Sequence, residues 1–324
     1  MKESGPLTSD FLRPLHVLDW GYTEESTPRS FSSFSSWIAE GHQGPLSYLS
    51  DHRKDLRSDI KLVYPDFQSA LVFLFGYQET KKWMLENQRH EIASYALGFG
   101  GEDYHFALKE RLKSIFERLK ETYPDLECSL SLDIQPILER DLAHRAGLGW
   151  FGKNSMLINQ NQGSYFILGS LLLNQKLPMT SSIIDVDHCG QCSACSDACP
   201  TQAIDPLTRT LKASQCISTF TIELMKDANP PEGYDKSRGE IFGCDICQDV
   251  CPWNRKPLLR VEALLKLHEK FLHFKELFFE LPKSELKRII SEESNRGWKK
   301  RLFGSALERP GKQGWLKNFI GRKD

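Results

Sequence analysis

The sequence predicts an α+β protein laid out in three stretches, and three observations lead to that reading. Over residues 1–180, short apolar runs with strand character alternate with amphipathic helical patterns. Eight of the nine cysteines fall between Cys189 and Cys251. Beyond Pro257 the apolar residues return at helical spacing and the charge turns basic. The expected division is therefore a mixed strand–helix domain over 1–180, a cysteine-rich domain over 181–256 and a helical basic region over 257–324.

Taken in order, the chain up to about Ser50 reads as helical pieces joined by turns, with a Ser/Phe cluster from Phe31 to Trp37. Gly44-Pro45-Leu46-Ser47-Tyr48-Leu49 has the form of a helix start, because proline is preorganised for the first helical position. The charged stretch His52 to Arg57 is expected to face solvent, Arg57 as a surface arginine. Ser69 to Phe75 is an unbroken apolar run ending at Gly76. It is too short for a typical helix and rich in Val and Phe, which predicts a strand buried on both faces. From Tyr104 to Tyr123, Leu108, Leu112, Ile115, Phe116 and Leu119 share one face opposite Lys and Glu, an amphipathic helix with Asp103 as N-cap. Ser129 to Ile134 is a second strand, and Leu138 to Ala146 a short helix ended by Gly147. Ser164 to Leu173 is a third strand, or a pair broken at Gly169. In the basic region Val261–Leu277 and Lys283–Ser291 have helical spacing.

The cysteines carry the first chemistry. Cys189-Gly-Gln-Cys192-Ser-Ala-Cys195-Ser-Asp-Ala-Cys199-Pro200 has C-x2-C-x2-C-x3-C-P spacing, which holds cubane iron–sulfur clusters in bacterial ferredoxins. The second run, Cys244-Asp-Ile-Cys247-Gln-Asp-Val-Cys251-Pro252, lacks the first cysteine of the pattern, and Cys216 replaces it. A tight loop wraps three corners of one cubane, and the fourth thiolate points to the other cluster. Hence Cys189, Cys192, Cys195 and Cys251 are assigned to one cluster, and Cys199, Cys216, Cys244 and Cys247 to the other, in a ferredoxin-like domain. Structural zinc usually closes on paired C-x2-C knuckles without the C-x3-C-P tail. Disulfides need an oxidising compartment, and no export signal is visible. Cys128 sits in an apolar alternating run as a small core residue.

Composition narrows the rest. Hydrophobic residues make up 40% and charged residues 26%, as in ordinary globular proteins. No window approaches eighteen uninterrupted apolar residues, so no membrane span is expected, and thiolate clusters fit a reducing cytoplasm. The net charge of −1 excludes a protein that is basic throughout, so nucleic-acid contact must come from a local patch. The tail supplies one candidate: Arg288, Arg296, Lys299, Lys300, Arg301, Arg309, Lys312, Lys317, Arg322 and Lys323, interleaved with Trp298, Phe303 and Trp315. Such a mixture grips RNA phosphates and bases, or is a solvated terminal helix.

Outside the cysteines, Asp133-Ile-Gln-Pro136-Ile-Leu-Glu139-Arg140 runs on to Gly147, Gly149 and Gly152-Lys153-Asn154. Asp133 stands at a strand end, where an active-site carboxylate is well placed, or where it caps or pairs with Arg140 or Arg145. His144 has no second histidine at ligand spacing. The glycines lack the strand-linked G-x-G-x-x-G arrangement of a dinucleotide site.

D-x-x-P-x-x-E-R, R-A-G-L-G-W-F-G-K-N, D-H-C-G-x-C-x-x-C-x-x-x-C-P and C-D-I-C-Q-x-V-C-P-W-N, in this order, resemble the epoxyqueuosine reductase family. Gly44 to Leu49, Asp103-Tyr104-His105 and Gly304 to Arg309 extend the match over most of the chain. The resemblance implies a cobalamin-binding α/β-type domain, like that of corrinoid reductive dehalogenases, joined to the two-cluster domain. It implies reduction of the epoxide of epoxyqueuosine at the wobble position of tRNA, with the tRNA anticodon loop as partner. It further implies an external electron donor of flavodoxin or ferredoxin type and a monomer. Asp133 matches the family's catalytic aspartate and would donate a proton, for which burial beside the corrin would have to raise its pKa. Arg57, Leu97, Asp133, Gly152, Lys153 and Asn154 are the residues implied on the cobalamin side, with Tyr95 and Ala96 beside Leu97. No D-x-H-x-x-G signature is present, so cobalamin would bind with its own base displaced and no histidine replacing it. Two other classes stay open: a corrinoid reductive dehalogenase, usually exported with a twin-arginine signal not seen here, and a cluster-only electron carrier, in which Asp133 is dispensable.

Overall fold

The computed structural model describes residues 5–180, 183, 186–225, 227–263 and 268–320. Strands β1 (Val17–Thr23), β2 (Ser69–Gly76) and β3 (Cys128–Ser131) are followed by a short hairpin, β4 (Trp150–Phe151) and β5 (Leu157–Ile158), and then by β6 (Phe166–Leu173). Four of them form one antiparallel sheet in the order β1-β2-β6-β3. A smaller ribbon, β7 (Ile204–Asp205) with β8 (Thr210–Leu211), lies between the cysteine runs.

The unbroken apolar run of β2 follows from its place inside the sheet. Successive side chains point to opposite faces. Leu71, Phe73 and Phe75 enter one core with Leu108, Leu112, Ile115 and Leu119 of the Tyr104–Lys120 helix. Ala70, Val72 and Leu74 enter a second core with Ile60, Phe67, Leu142 and Ala143. Burying each large aliphatic or aromatic side chain contributes roughly 1.5–3 kcal/mol, so both faces hold β2 in place.

Several expectations are corrected. The segment before Ser50 is not purely helical: β1 pairs with β2 from Val17 opposite Phe75 to Thr23 opposite Ala70, with a register shift between Val17 and Asp19. Asp19 and Gly21 interrupt its apolar pattern. Gly21 is required because a Cβ there would lie 2.1 Å from the Ala146 carbonyl oxygen. Gly44–Leu49 forms only a 3-10 turn at Ser47–Leu49, whereas Phe31–Ala39 is a helix. The helix after Asp103 ends at Lys120, and the next is Glu139–Arg145. β3 stops at Ser131, and the chain turns sharply through Asp133, whose φ is 55°. β6 runs unbroken through Gly169, which faces Phe73.

In the tail, the expected Val261–Leu277 helix includes residues 264–267, which lie outside the described residues, as do Arg322 and Lys323. Glu269–Lys275 is helical and widens into a π turn at Glu276–Glu280, followed by helices Lys283–Glu292, Asn295–Arg301 and Gly311–Asn318. Phe271, Phe274, Trp298 and Trp315 share a core with Met84, Ile92 and Leu97. The Trp315 ring stacks 4.9 Å from that of Phe278, and its Nε1–H donates to the Leu307 carbonyl at 2.9 Å. Trp298 and Trp315 are therefore core residues and cannot grip RNA. Among the described residues no helix is long and apolar enough to cross a membrane.

Candidate functional site

The bend after β3 carries Asp133 to the first turn of the Tyr104–Lys120 helix. The Tyr104 hydroxyl donates to Asp133 Oδ2 at 2.5 Å, and His105 Nε2 lies 2.7 Å from Asp133 Oδ1. On its other side His105 Nδ1 lies 2.7 Å from Asp103 Oδ1, and the same oxygen caps the helix by accepting the His105 N–H. Burial opposes charge on His105. The two carboxylates outweigh it and hold the imidazole pKa up to about 9, so both ring nitrogens carry protons at neutral pH. Burial, then the Asp133 carboxylate, raises the Tyr104 phenol, which keeps its hydroxyl protonated and donating to Asp133.

The Asp133 N–H donates to Glu139 Oε1 at 2.6 Å, and burial pushes the Glu139 carboxyl up to about 7. The pairing of Asp133 with Arg140 or Arg145 is not found. Arg145 Nε donates to Asp141 at 2.5 Å, and Arg140 donates to the Ser155 carbonyl. His144 Nδ1 is hydrogen-bonded to the Gly149 carbonyl at 2.8 Å, a structural role. The sequence pointed to Asp133 but not to its neighbours. The D-Y-H run was visible only as part of a resemblance, and no spacing rule links residues 103–105 to residue 133.

Arg57 is not a surface arginine: it is 8% exposed. Its Nη1 donates to the Arg53 carbonyl at 2.8 Å, and its guanidinium stands 5.8 Å from the Phe34 ring centroid. Tyr48 and Tyr95, both raised by burial, each feel the charges of Glu223, Arg309 and Asp133, and Tyr48 also feels Arg57. These side chains from distant parts of the sequence therefore converge on the Asp133 side of the molecule. Leu97 is fully buried against the tail helices, beside half-buried Tyr95. At Gly152 a Cβ would stand 2.5 Å from Ile158 Cδ1. Lys153 Nζ donates to the carbonyls of Gly190 and Cys192 at 2.7 and 2.9 Å, and Asn154 Nδ2 to that of Cys247 at 3.3 Å. This turn braces both cysteine runs.

Cys199, Cys216, Cys244 and Cys247 line one small cavity with Asn154. Burial raises the Cys247 thiol most, followed by the nearby Cys216 and Cys199. Burial likewise raises Cys251, whose thiol neighbours are Cys189, Cys195 and Cys192. Trp150 and Trp253 pack against Cys189 and Cys251, 4.9 Å apart between ring centroids. One set of thiols thus lies inward beside Asn154, while the other reaches the surface through exposed Cys192. Cys128 stays apart, half-buried, its thiol pushed up to about 12 by burial.

Residues 57–133 match the family described as "Epoxyqueuosine reductase QueG, DUF1730", and residues 188–254 that described as "4Fe-4S double cluster binding domain". The epoxyqueuosine reductase of Cyclobacterium marinum is 36% identical over 303 residues, covering 92% of this chain and 88% of that one. The chain belongs to the epoxyqueuosine reductase family. The reductase of Escherichia coli is 33% identical over 301 residues, covering 92% of this chain and 75% of its own. A solved epoxyqueuosine reductase with an epoxyqueuosine-modified tRNA-Tyr stem loop has a TM-score of 0.76 at 25% identity, covering 96% of this chain and 78% of that chain. As a member of the epoxyqueuosine reductase family the chain is an oxidoreductase, and its double-cluster region contains all eight clustered cysteines. The α+β fold with a two-cluster iron–sulfur domain stands as the sequence predicted.

Proposed function

We propose that this chain reduces the epoxide of epoxyqueuosine, at the wobble position of a tRNA, to the alkene of queuosine. Asp133 is the proton donor, and two 4Fe-4S clusters and cobalamin are the cofactors. The hydrogen-bonded series Asp103–His105–Asp133 carries this reading: a carboxylate backed by an imidazolium is a refillable proton source. Converting the epoxide to the alkene takes two electrons and two protons and releases the oxygen as water. Asp133 takes a proton from the His105 imidazolium and passes it to the oxygen as the C–O bond opens, His105 is reprotonated from solvent, and Tyr104 fixes the carboxyl through Oδ2. The stem loop in the solved relative supports tRNA as the substrate.

Cys189, Cys192, Cys195 and Cys251 hold one cluster; Cys199, Cys216, Cys244 and Cys247 hold the other. The exposure of Cys192 supports an outer position for the first, open to an external electron donor. The second, beside Asn154, passes electrons inward. Cobalamin fits Arg57: a guanidinium buried to 8% exposure, with no ion-pair partner among the described residues, calls for an acceptor such as a phosphate or amide. Arg57, the Leu97 backbone, Asp133 and the Gly152-Lys153-Asn154 turn would hold it. When bound, cobalamin supplies a strongly reducing, nucleophilic cobalt centre.

The test uses anaerobic protein with clusters and cobalamin restored. Asp133→Asn should retain the EPR signal of bound base-off Co(II) cobalamin and lose turnover of epoxyqueuosine-containing tRNA. Full turnover would remove Asp133 from the reaction, and a cobalamin spectrum unchanged by wild-type protein would remove the cofactor.

A further inference from the structure

Three large apolar side chains are exposed around the proton-donor series. Phe106 is 60% exposed, Ile134 73% and Phe303 71%. Phe106 follows His105, and Ile134 follows Asp133. Phe303 precedes Gly304, whose carbonyl accepts the Asp103 N–H at 2.8 Å. Each member of the series thus has an exposed apolar neighbour.

The fold does not account for them. The inward face of the Tyr104–Lys120 helix is filled by Leu108, Leu112, Ile115 and Leu119, and Phe106 is not on it. Phe303 is not exposed for want of a packed tail, since Trp298 and Trp315 on either side of it are fully buried. Exposed apolar groups gathered at one place mark a binding surface.

The charges nearby select the partner. Most cations of the tail are committed: Arg288 to Glu285 and Glu292, Arg301 to Glu293, Arg309 to Glu223, and Lys312 to the carbonyls of Ser291 and Glu293. Lys317 is buried, with its pKa pushed down to about 8. Lys299 and Lys300 are exposed, and the Phe303 N–H donates to the Lys300 carbonyl at 3.3 Å. Aromatic faces beside lysines that have no ion-pair partner among the described residues suit a single-stranded nucleic acid, whose bases stack while its phosphates meet the cations.

We propose that Phe106, Ile134 and Phe303 form a stacking rim for the bases flanking the modified nucleotide of the tRNA loop. This rests on the tRNA reading above. None of the three side chains can hydrogen-bond, so the rim reads base faces and not base identity. It admits a nucleotide to Asp133 only from a loop whose bases can splay apart, and so selects against paired RNA.

The experiment measures binding of a fluorescently labelled anticodon stem-loop RNA to the full, cluster-loaded chain across a salt series. Phe303→Ala and Phe106→Ala should each weaken binding about tenfold, the scale of one lost base–aromatic stack, without changing the slope of log Kd against log salt. Phe303→Trp should restore affinity. Lys299→Glu with Lys300→Glu should instead lower the slope. Unchanged affinity in both alanine variants, with wild-type binding intact, would overturn the rim and leave the proposed reaction standing. A Phe303→Ala variant that turned a dimer into a monomer in sedimentation would likewise overturn it, in favour of a second copy. No binding by the wild-type chain would instead strike the tRNA reading itself.

Discussion

Lys81 and Asp245 form an ion pair sealed from solvent: Lys81 Nζ lies 3.0 Å from Asp245 Oδ2, with side chains 1% and 6% exposed. The same ammonium meets Asp249 Oδ1 at 2.5 Å. Asp245 also accepts the N–H and hydroxyl of Ser94, and Asp249 accepts from Tyr165 and Arg238. Both aspartates belong to the second cysteine run, so one lysine of the Gln78–Glu86 helix fastens that run to the sheet domain. Lys81→Met leaves two buried carboxylates without their shared cation. Breaking such a pair costs about 3–5 kcal/mol. The urea midpoint should fall accordingly, and iron should be lost first from the cluster proposed for Cys244 and Cys247. An unchanged midpoint would show that the network carries no stability.

The pH dependence of stability follows from two groups. His105 is raised from 6.5 to about 9, so its contribution is complete below its unfolded pKa and lost as pH rises through 9. Glu139 is raised from 4.5 to about 7, so its ionisation cost is absent below its unfolded value and complete above 7. Glu139 therefore weakens the fold as pH climbs from 4.5 to about 7, and His105 as it climbs from 6.5 to about 9. Thermal unfolding followed across these ranges should show a falling Tm, and His105→Ala should flatten the alkaline part while leaving the Glu139 part below pH 7. A slope in His105→Ala equal to that of the wild type would exclude the imidazolium.

Much of this was legible in the sequence, for reasons that also explain what was not. β2 is an unbroken apolar run because both its faces are buried, and the Tyr104–Lys120 helix repeats its apolar residues every three to four positions, patterns that burial imposes directly. The cysteine runs were legible because cluster geometry dictates local spacing. β1 was hidden because Asp19 falls at a register shift and Gly21 answers a neighbouring carbonyl and not the strand. Trp298 and Trp315 lie among lysines that suggest a surface, yet their rings complete a core with Leu97. The Asp103–His105–Asp133 series was illegible because it depends on a left-handed bend at Asp133, a conformation non-glycine residues seldom adopt.

Gly149 offers a test of how the bracing turn is held. A Cβ there would lie 2.1 Å from the Ile158 carbonyl oxygen, in the β4–β5 hairpin, and backbone cannot step aside as a side-chain tip can. Gly149→Ala should cost about 1–3 kcal/mol by overpacking. Displacing the hairpin should also loosen Lys153 and Asn154 from the carbonyls of Cys192 and Cys247. Calorimetry and the rate of iron release to a chelator should shift together. A lower Tm with unchanged iron release would separate the hairpin from the cluster loops.

The two sets of cysteines make opposite predictions for single substitutions. Cys199 lines the inner cavity with Cys216, Cys244 and Cys247, although it follows closely on Cys195 in the chain. Cys192 stands in the exposed loop with Cys189. If the fourth cysteine of the first run crosses to the other cluster, Cys199→Ser should deplete the inner cluster and spare the iron held by Cys189, Cys192, Cys195 and Cys251. The remaining cluster should still be reduced by a soluble donor, since its exposed side is intact, but electrons should no longer reach the Asp133 side. Cys192→Ser should instead spare the inner cluster and slow its reduction by a protein donor. Iron content and Mössbauer spectra of the two variants decide the matter: loss of the same cluster in both would return Cys199 to the set of its sequence neighbours and break the crossed pairing.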